Sequence, residues 1–138
     1  MTKQLYRRIG EWKPDDLLAD SRDIYITTDE AIDAGASFHR GQIVKYDSTT
    51  KTIKAMTAKS DIPFGIVVRD VNCSENEDEN GDLFATVYVR GSFNGQSSLL
   101  DAGAIPAEDS SHNATPLSFE DFYVALRERG IIIRRNVN

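Results

Sequence analysis

The chain has 138 residues, of which 40% are hydrophobic, and a net charge of −6, which together suit one globular domain with an ordinary core. No apolar run approaches the roughly 20 residues that a membrane-spanning helix needs, and the acidic balance disfavours a surface that neutralises nucleic-acid phosphates. Cys73 is the single cysteine, so an internal disulfide is excluded. We therefore expect a protein made in the cytoplasm, with no membrane and no nucleic acid as partner.

The first 20 residues show no sustained helical or strand period, because Gly10 and Pro14 interrupt the pattern. Such a stretch is either a frayed terminus or an arm that becomes ordered on a partner. The chain's single tryptophan lies here, and aromatic residues often anchor interfaces, which supports the second alternative. We divide the chain into an N-terminal arm, 1–20, and a β-rich domain, 21–138. The candidate contact residues of the arm are Tyr6, Ile9, Trp12, Leu17 and Leu18.

Runs of β-branched and aromatic residues predict several short strands in the first half of the domain. These runs are 24–28, 41–46, 52–56 and 61–69. The second and third of them form a hairpin around a turn at 47–51, whose side chains can bond their own backbone. Pro63 must lie at the start or on an edge of its strand because it cannot donate to a ladder, and Gly65 indicates a bend or a close backbone approach.

The segment 72–82 is acidic and rich in turn-forming residues, which predicts a solvated hairpin tip. Its Asn76-x-Asp78-x-Asn80-Gly81 pattern imitates the start of a calcium-binding EF-hand loop. The twelfth position of that loop would be Val87, where the site needs a bidentate acid. We therefore predict no metal site here.

Residues 83–90 are the most strand-like stretch of the chain, with no glycine or proline inside. Side chains alternate along a strand, so one face is wholly apolar and the other is mixed. The mixed face includes Tyr88 and Arg90, and we expect it to be partly wet or to face another subunit. Gly91 is predicted to end the strand, and Phe93 follows just beyond it.

The last third begins with 95–117, which has few large aliphatic residues and predicts a long surface segment. A helix follows over 118–129, with Ser118 as N-cap, Asp121 completing a capping box and Gly130 as C-terminal cap. Its apolar face has the spacing of an amphipathic helix and consists of Phe119, Phe122, Tyr123 and Leu126. Residues 131–134 then form a strand.

Groups capable of catalysis are scattered along the sequence. His39, His112 and Cys73 have no motif partners at metal-ligand or nucleophile–base spacing, and no phosphate-binding loop or nucleophile elbow is present. We therefore predict no catalytic residue, no cofactor and no enzymatic activity. The enzyme alternative requires dispersed residues, such as His39 and Asp70, to meet in space.

Five segments carry a resemblance when they are taken in order. They are a proline–acid–leucine opening at 13–19, an arginine–glycine strand at 38–44, a glycine–isoleucine strand at 65–71, a Val-x-Val-Arg-Gly-Ser-Phe-Asn run at 87–94 and a Leu-Arg-x-Arg-Gly-Ile ending at 126–133. In this order they resemble the lambda-like head decoration, or capsid-stabilising, proteins of tailed phages. The five segments span most of residues 13–134.

The resemblance implies a mainly β fold, a small sandwich or barrel-like domain of the β-tulip type, with one short C-terminal helix and an extended N-terminal arm. It implies a homotrimer on the outer surface of the virion, at local three-fold positions of the expanded capsid, which stabilises the shell against internal DNA pressure. The major capsid protein would be the partner, bound through the arm, and Tyr88, Arg90 and Phe93 would lie at the subunit interface. The alternative is a small β-rich binding or adaptor module, or a tail or fibre component of a phage particle.

Overall fold

The computed structural model describes residues 16–20, 22–72, 84–105 and 114–135. The strands are β1 Ile26–Ala31, β2 Ser37–Phe38, β3 Ile43–Asp47, β4 Thr52–Ala55, β5 Pro63–Val67, β6 Val71–Asn72, β7 Phe84–Asn94, β8 Ala104–Ile105, β9 Thr115–Pro116 and β10 Ile131–Arg134. A 3₁₀ turn, Phe119–Phe122, leads directly into the short helix α1, Tyr123–Glu128. The predicted mainly β fold with one short C-terminal helix is confirmed.

Five strands form an antiparallel sheet in the order β1-β7-β5-β3-β4, and β10 pairs with β7 in parallel. The sheet curls so that its first and last strands approach each other. Ile32, just after β1, forms a parallel bridge with Ile53 in β4, and Lys54 Nζ lies 2.8 Å from Asp33 Oδ2. The main sheet is therefore barrel-like, with β1 and β4 meeting at a seam.

Two apolar clusters lie on opposite faces of this sheet. One cluster joins residues of β3, β4, β5 and β7 inside the curl, and Val87 belongs to it. The other lies under the helix and includes Tyr88, Phe93 and Phe122. Because neighbours on β7 enter different clusters, this strand has a core on both sides. Burying each large apolar side chain contributes about 1.5–3 kcal/mol.

β7 runs straight through the glycine that was predicted to end it. Gly91 has φ +146°, a backbone conformation that residues with side chains rarely adopt, and a Cβ there would collide with the ring of Tyr25. The strand continues because it changes partners: β1 pairs with it as far as Arg90, and β10 pairs with it from Gly91 to Asn94. The prediction that the strand ends at Gly91 was wrong, because the residues around Gly91 do not indicate that the strand changes partners there.

The hairpin and the proline-led strand are confirmed. β3 and β4 pair around a turn in which Asp47 Oδ1 accepts the backbone N–H of Thr49 at 2.8 Å. Pro63 is the first residue of β5. A Cβ on Gly65 would lie 2.6 Å from the carbonyl oxygen of Tyr88, so the close backbone approach predicted for this glycine is present.

The C-terminal helix has the predicted caps but not a uniform geometry. The Ser118 side chain accepts from the backbone of Glu120, the Asp121 carboxylate accepts from the backbone of Ser118, and Gly130 has φ +94°. Phe122, with φ −117° and ψ 8°, separates the 3₁₀ turn from α1. The prediction of one continuous helix is corrected to two short turns, with Phe122 and Leu126 buried beneath them.

The segment 95–117 is more ordered than the sequence suggests. β8 and β9 pair with each other, and Ala102 and Leu117 are buried. The backbone of Asp101 bonds to that of Gly41 and Ile43. The prediction of a long surface segment is wrong for these residues. The sequence did not indicate their burial, because the side chains that become buried are small or isolated among polar residues. Residues 106–113, and residues 73–82 of the predicted acidic tip, lie outside the described residues.

Candidate functional site

The end of the predicted arm lies along the second half of β7. Asn94 N–H donates to the Leu17 carbonyl oxygen at 2.8 Å, and Ala19 N–H donates to that of Ser92 at 3.1 Å. Leu18 forms an antiparallel bridge with Phe93 and is half-buried. Residues 16–19 thus behave as a short extra strand of the domain.

This placement corrects the role predicted for Leu17. Its side chain is fully buried in the cluster beneath the helix, so it stabilises its own domain and has no surface to offer a partner. In the sequence, a leucine pair shortly after a proline is compatible with either role, a contact with a partner or a place in the core. Tyr6, Ile9 and Trp12 lie outside the described residues.

The three residues predicted for a subunit interface are separated by the structure. Tyr88 is buried and Phe93 is fully buried, and their ring centroids are 5.2 Å apart in an edge-to-face arrangement. Both side chains therefore belong to the core, and the interface prediction is wrong for them. Arg90 is the one of the three that is exposed.

Tyr25 completes this aromatic cluster and was missed by the sequence analysis. Its ring centroid lies 5.7 Å from that of Tyr88 and 5.8 Å from that of Phe93. An aromatic ring beside a strand glycine covers backbone that the glycine leaves bare, and Tyr25 covers Gly91 in this way. The available signal was an aromatic residue preceding a strand and a glycine inside another. Nothing in the sequence pairs the two.

The Tyr25 hydroxyl fixes the segment before β1. Its oxygen lies 2.8 Å from the carbonyl oxygens of both Asp20 and Ser92, and it can donate to one of them at a time. This inward turn explains why β1 begins at Ile26 and not at the predicted residue 24. Residues 22–26 consequently rise along one side of β7.

Between this segment and β10 lies an open groove of about 730 Å³. Its floor is formed by Gly91, Ser92 and Gly130. Adjacent side chains on a strand point to opposite faces, so the groove, which Ser92 lines, is on the outer face of the sheet and Phe93 is on the inner face. The walls are formed by Arg22, Asp23, Ile24, Ile26, Arg90, Ile132 and Arg134.

The groove is positively charged in a chain that is negative overall. Asp23 accepts a hydrogen bond from the Ser92 hydroxyl and lies 3.6 Å from Arg134 Nη2. Asp20 accepts hydrogen bonds from the backbone N–H and the side chain of Arg22. These bonds, the backbone bond most of all, lower the pKa of Asp20 below 3.8. The Arg90 backbone pairs with Ile26, but its side chain makes no hydrogen bond or ion pair with any described residue. The groove thus presents Arg90 as an uncompensated cation.

His39 is half-exposed, and both of its ring nitrogens have a partner. Its Nε2 lies 2.9 Å from Asp101 Oδ2, and its Nδ1 lies 3.0 Å from the Arg40 carbonyl oxygen. Asp70 instead accepts the backbone N–H of Arg40 at 2.8 Å. The pairing of His39 with Asp70 that the enzyme alternative invoked is replaced by a bond to Asp101. This bond ties the segment after β7 to the loop before β3.

The pair titrates in a predictable direction. Burial lowers the pKa of His39, but hydrogen bonds to Asp101 and to the Arg40 carbonyl outweigh it and raise the pKa above 6.5. Burial raises the pKa of Asp101, but the Gly103 N–H and His39 outweigh it and lower the pKa below 3.8. The contribution of protonated His39 to the free energy of unfolding is complete below about pH 6.5, and it is lost as pH rises through the raised pKa. The aspartate contribution is lost as pH falls through its lowered pKa.

We expect wild type to exceed His39→Gln in free energy of unfolding by less than about 1 kcal/mol at about pH 5.5, because both side chains are half-exposed and screened. The difference should shrink by about pH 8, where the imidazole is neutral. Urea unfolding of both proteins at the two pH values measures it, and His112, present in both, cancels. A difference that does not change with pH would contradict a charged His39–Asp101 pair.

Two further structural findings concern the described residues alone. Within 16–20, 22–72, 84–105 and 114–135, no three histidine, cysteine, aspartate or glutamate side chains come together in a way that could hold a metal ion. No helix in the same ranges is long and apolar enough to cross a membrane.

Comparison with known proteins gives no family assignment: no protein-family model matches the chain, and no curated protein is significantly similar in sequence.

Proposed function

We propose that this protein is a head decoration protein of a tailed phage. It binds as a homotrimer to the outer surface of the expanded capsid, at local three-fold positions, and stabilises the shell against the pressure of packaged DNA. The major capsid protein is its partner in the virion. No catalytic group or cofactor takes part in this role.

The observation that carries the proposal is the arrangement of the five family-like segments. Residues 16–19 of the opening segment and residues 131–133 of the ending segment lie on either side of the 87–94 segment. Backbone hydrogen bonds join them: Asn94 N–H donates to the Leu17 carbonyl oxygen, and Gly95 N–H donates to that of Arg134, the residue after the ending segment. Segments far apart in the sequence therefore meet on one strand, as expected if the resemblance reflects a common fold.

The other two segments are also hydrogen-bonded to each other. Gly41 N–H donates to the Val67 carbonyl oxygen at 2.9 Å, and Val67 N–H donates to that of Gln42 at 2.9 Å. Phe38 pairs with Val71 in the same contact. β5 then joins this pair to β7, so all five segments form one connected framework.

The mechanism we propose is linkage. A trimer that binds the expanded lattice, and not the dissociated subunits, stabilises the lattice by mass action. Residues 16–19 are hydrogen-bonded to β7, which fixes the point at which residues 1–15 join the domain. Tyr6, Ile9 and Trp12 supply the capsid contacts, and half-buried Leu18 stays a candidate at the base. Three arms on one trimer let weak contacts add up to tight capture.

Co-sedimentation with purified phage parts tests the proposal. We expect the protein to pellet with expanded heads of its cognate phage, and to stay in the supernatant with unexpanded shells or with isolated tails. Light scattering on the free protein should give the mass of three chains. Binding to tails in place of heads would contradict decoration and favour a tail or fibre component.

A further inference from the structure

The groove beside β7 combines exposed aliphatic side chains with arginines. Ile24 is 76% exposed and Ile26 is 45% exposed, although both lie on a wall of a formed groove. Arg90 and Arg134 also line this groove, and the Arg134 side chain is 50% exposed. A segment that covered this face would bury apolar area and gain charge-assisted contacts at the same time.

The charges specify the chemistry of the occupant. The groove has three arginines and one aspartate, and that aspartate is already engaged by Ser92 and Arg134. The guanidinium of Arg90 has no hydrogen-bond or ion-pair partner among the described residues. An extended, acidic segment of polypeptide is therefore the complementary ligand.

Of the segments outside the described residues, 75–82 is the most acidic and 1–15 is basic, while 106–113 has only two carboxylates. Residues 75–82 have five carboxylates and no basic side chain, and Leu83 follows them. Residues 1–15 have four basic and two acidic side chains, so their net charge has the same sign as that of the groove. Charge complementarity thus selects 75–82, a segment that lies outside the described residues.

Distance along β7 argues that the acidic segment comes from another copy. The segment joins β7 at Phe84, six residues before Arg90, a separation of about 20 Å at roughly 3.3 Å per residue. Eleven residues join Asn72 to Phe84, and a chain of that length held at both ends can reach at most about 20 Å from them. No length would remain to lie in the groove. A second copy has no such restriction.

We propose that the groove of one copy receives the acidic segment 75–82 of a second copy. The contact joins two different surfaces, so it is heterologous, and repeating it around an axis closes a ring. The inference rests on the proposed homotrimer and names its interface. It does not depend on the capsid being the partner.

A charge-swap series tests the contact. Arg90→Glu places a carboxylate where the acidic segment would lie, and the double variant Glu77→Lys with Glu79→Lys reverses the segment. Each should raise the dissociation constant of the assembly about tenfold or more, since like charges then face each other. All three substitutions together should return it toward the wild-type value. Light scattering over a concentration series of the full chain measures this.

Lys59→Glu is the matched control, because it makes the same charge change on a side chain that is 70% exposed and lies outside the groove. We expect its dissociation constant to stay within about twofold of wild type. Circular dichroism of every variant should match wild type.

Three results would overturn the proposal: wild-type protein that is monomeric throughout, Arg90→Glu that assembles like wild type, or a combined variant that does not recover. If Arg90→Glu lowers only the binding to heads, the groove contacts the shell and not a second copy. If the swap behaves as expected but the trimers do not bind heads, the decoration proposal fails and the interface stands. Trimers that bind heads and assemble normally with Arg90→Glu would support decoration and exclude this interface.

Discussion

Replacing Phe93 with alanine is expected to lower the free energy of unfolding by about 3–5 kcal/mol. The ring is fully buried against Tyr25 and Tyr88, close to the point where β10 replaces β1 as the partner of β7. Its removal leaves a cavity that the backbone pairing on both sides prevents from closing. Urea unfolding monitored by circular dichroism measures the loss.

The same strand offers a matched control. Phe84 is 60% exposed at the other end of β7, so Phe84→Ala should change the free energy of unfolding by no more than about 0.5 kcal/mol. If Phe93→Ala left stability intact and only reduced assembly, Phe93 would belong to a subunit interface, and its placement in the core would be wrong.

Removing residues 1–15 should abolish head binding without unfolding the domain, whereas removing residues 1–20 should also destabilise the domain. A chain that begins at Asp16 keeps the Leu17 side chain and its backbone bonds to β7, so it should stay folded but lose co-sedimentation with expanded heads. A chain that begins after residue 20 also loses Leu17 from the core. It should be less stable by at least about 2 kcal/mol, the lower end for deleting a buried leucine side chain.

Two point substitutions make the same distinction without truncation. Under the decoration proposal, Trp12→Ala should weaken head binding at least about tenfold, since every arm of the proposed trimer loses its aromatic anchor, and should leave the unfolding midpoint unchanged. Leu17→Ala should lower the midpoint. Head binding that survives removal of residues 1–15 would exclude the arm as the capsid contact.

Local chemistry made much of this fold predictable. The capping box at Ser118 and Asp121, the turn at Asp47 and the proline at the start of β5 depend on neighbours in the sequence, and all three are present. Such features form from side chain-to-backbone bonds within a few residues. The amphipathic spacing of Phe122 and Leu126 likewise indicated which helix face is buried.

Features that depend on distant partners were not predictable in the same way. The alternation along β7 indicated the faces of Val87 and Tyr88, but not that both faces would be covered. Leu17 lies opposite a strand more than 70 residues later, and only that pairing makes it a core residue. The groove depends on Gly91 and Gly130 lying side by side, which follows from the parallel pairing of β10 with β7.

The acidic balance of the chain also has a clearer meaning beside the structure. In the sequence, a net charge of −6 does no more than disfavour nucleic acid. The described residues include a positively charged groove, with Arg90 free of described partners. The excess acid and the local base are thus separated along the chain, which is the charge arrangement that the proposed contact between two copies requires.

Electron microscopy of expanded heads, with and without the purified protein, tests the central claim most directly. The decoration proposal predicts added density on the outer surface at the local three-fold positions, with three-fold symmetry and a volume equal to three chains. Heads whose maps are identical with and without a saturating excess of the protein would contradict it.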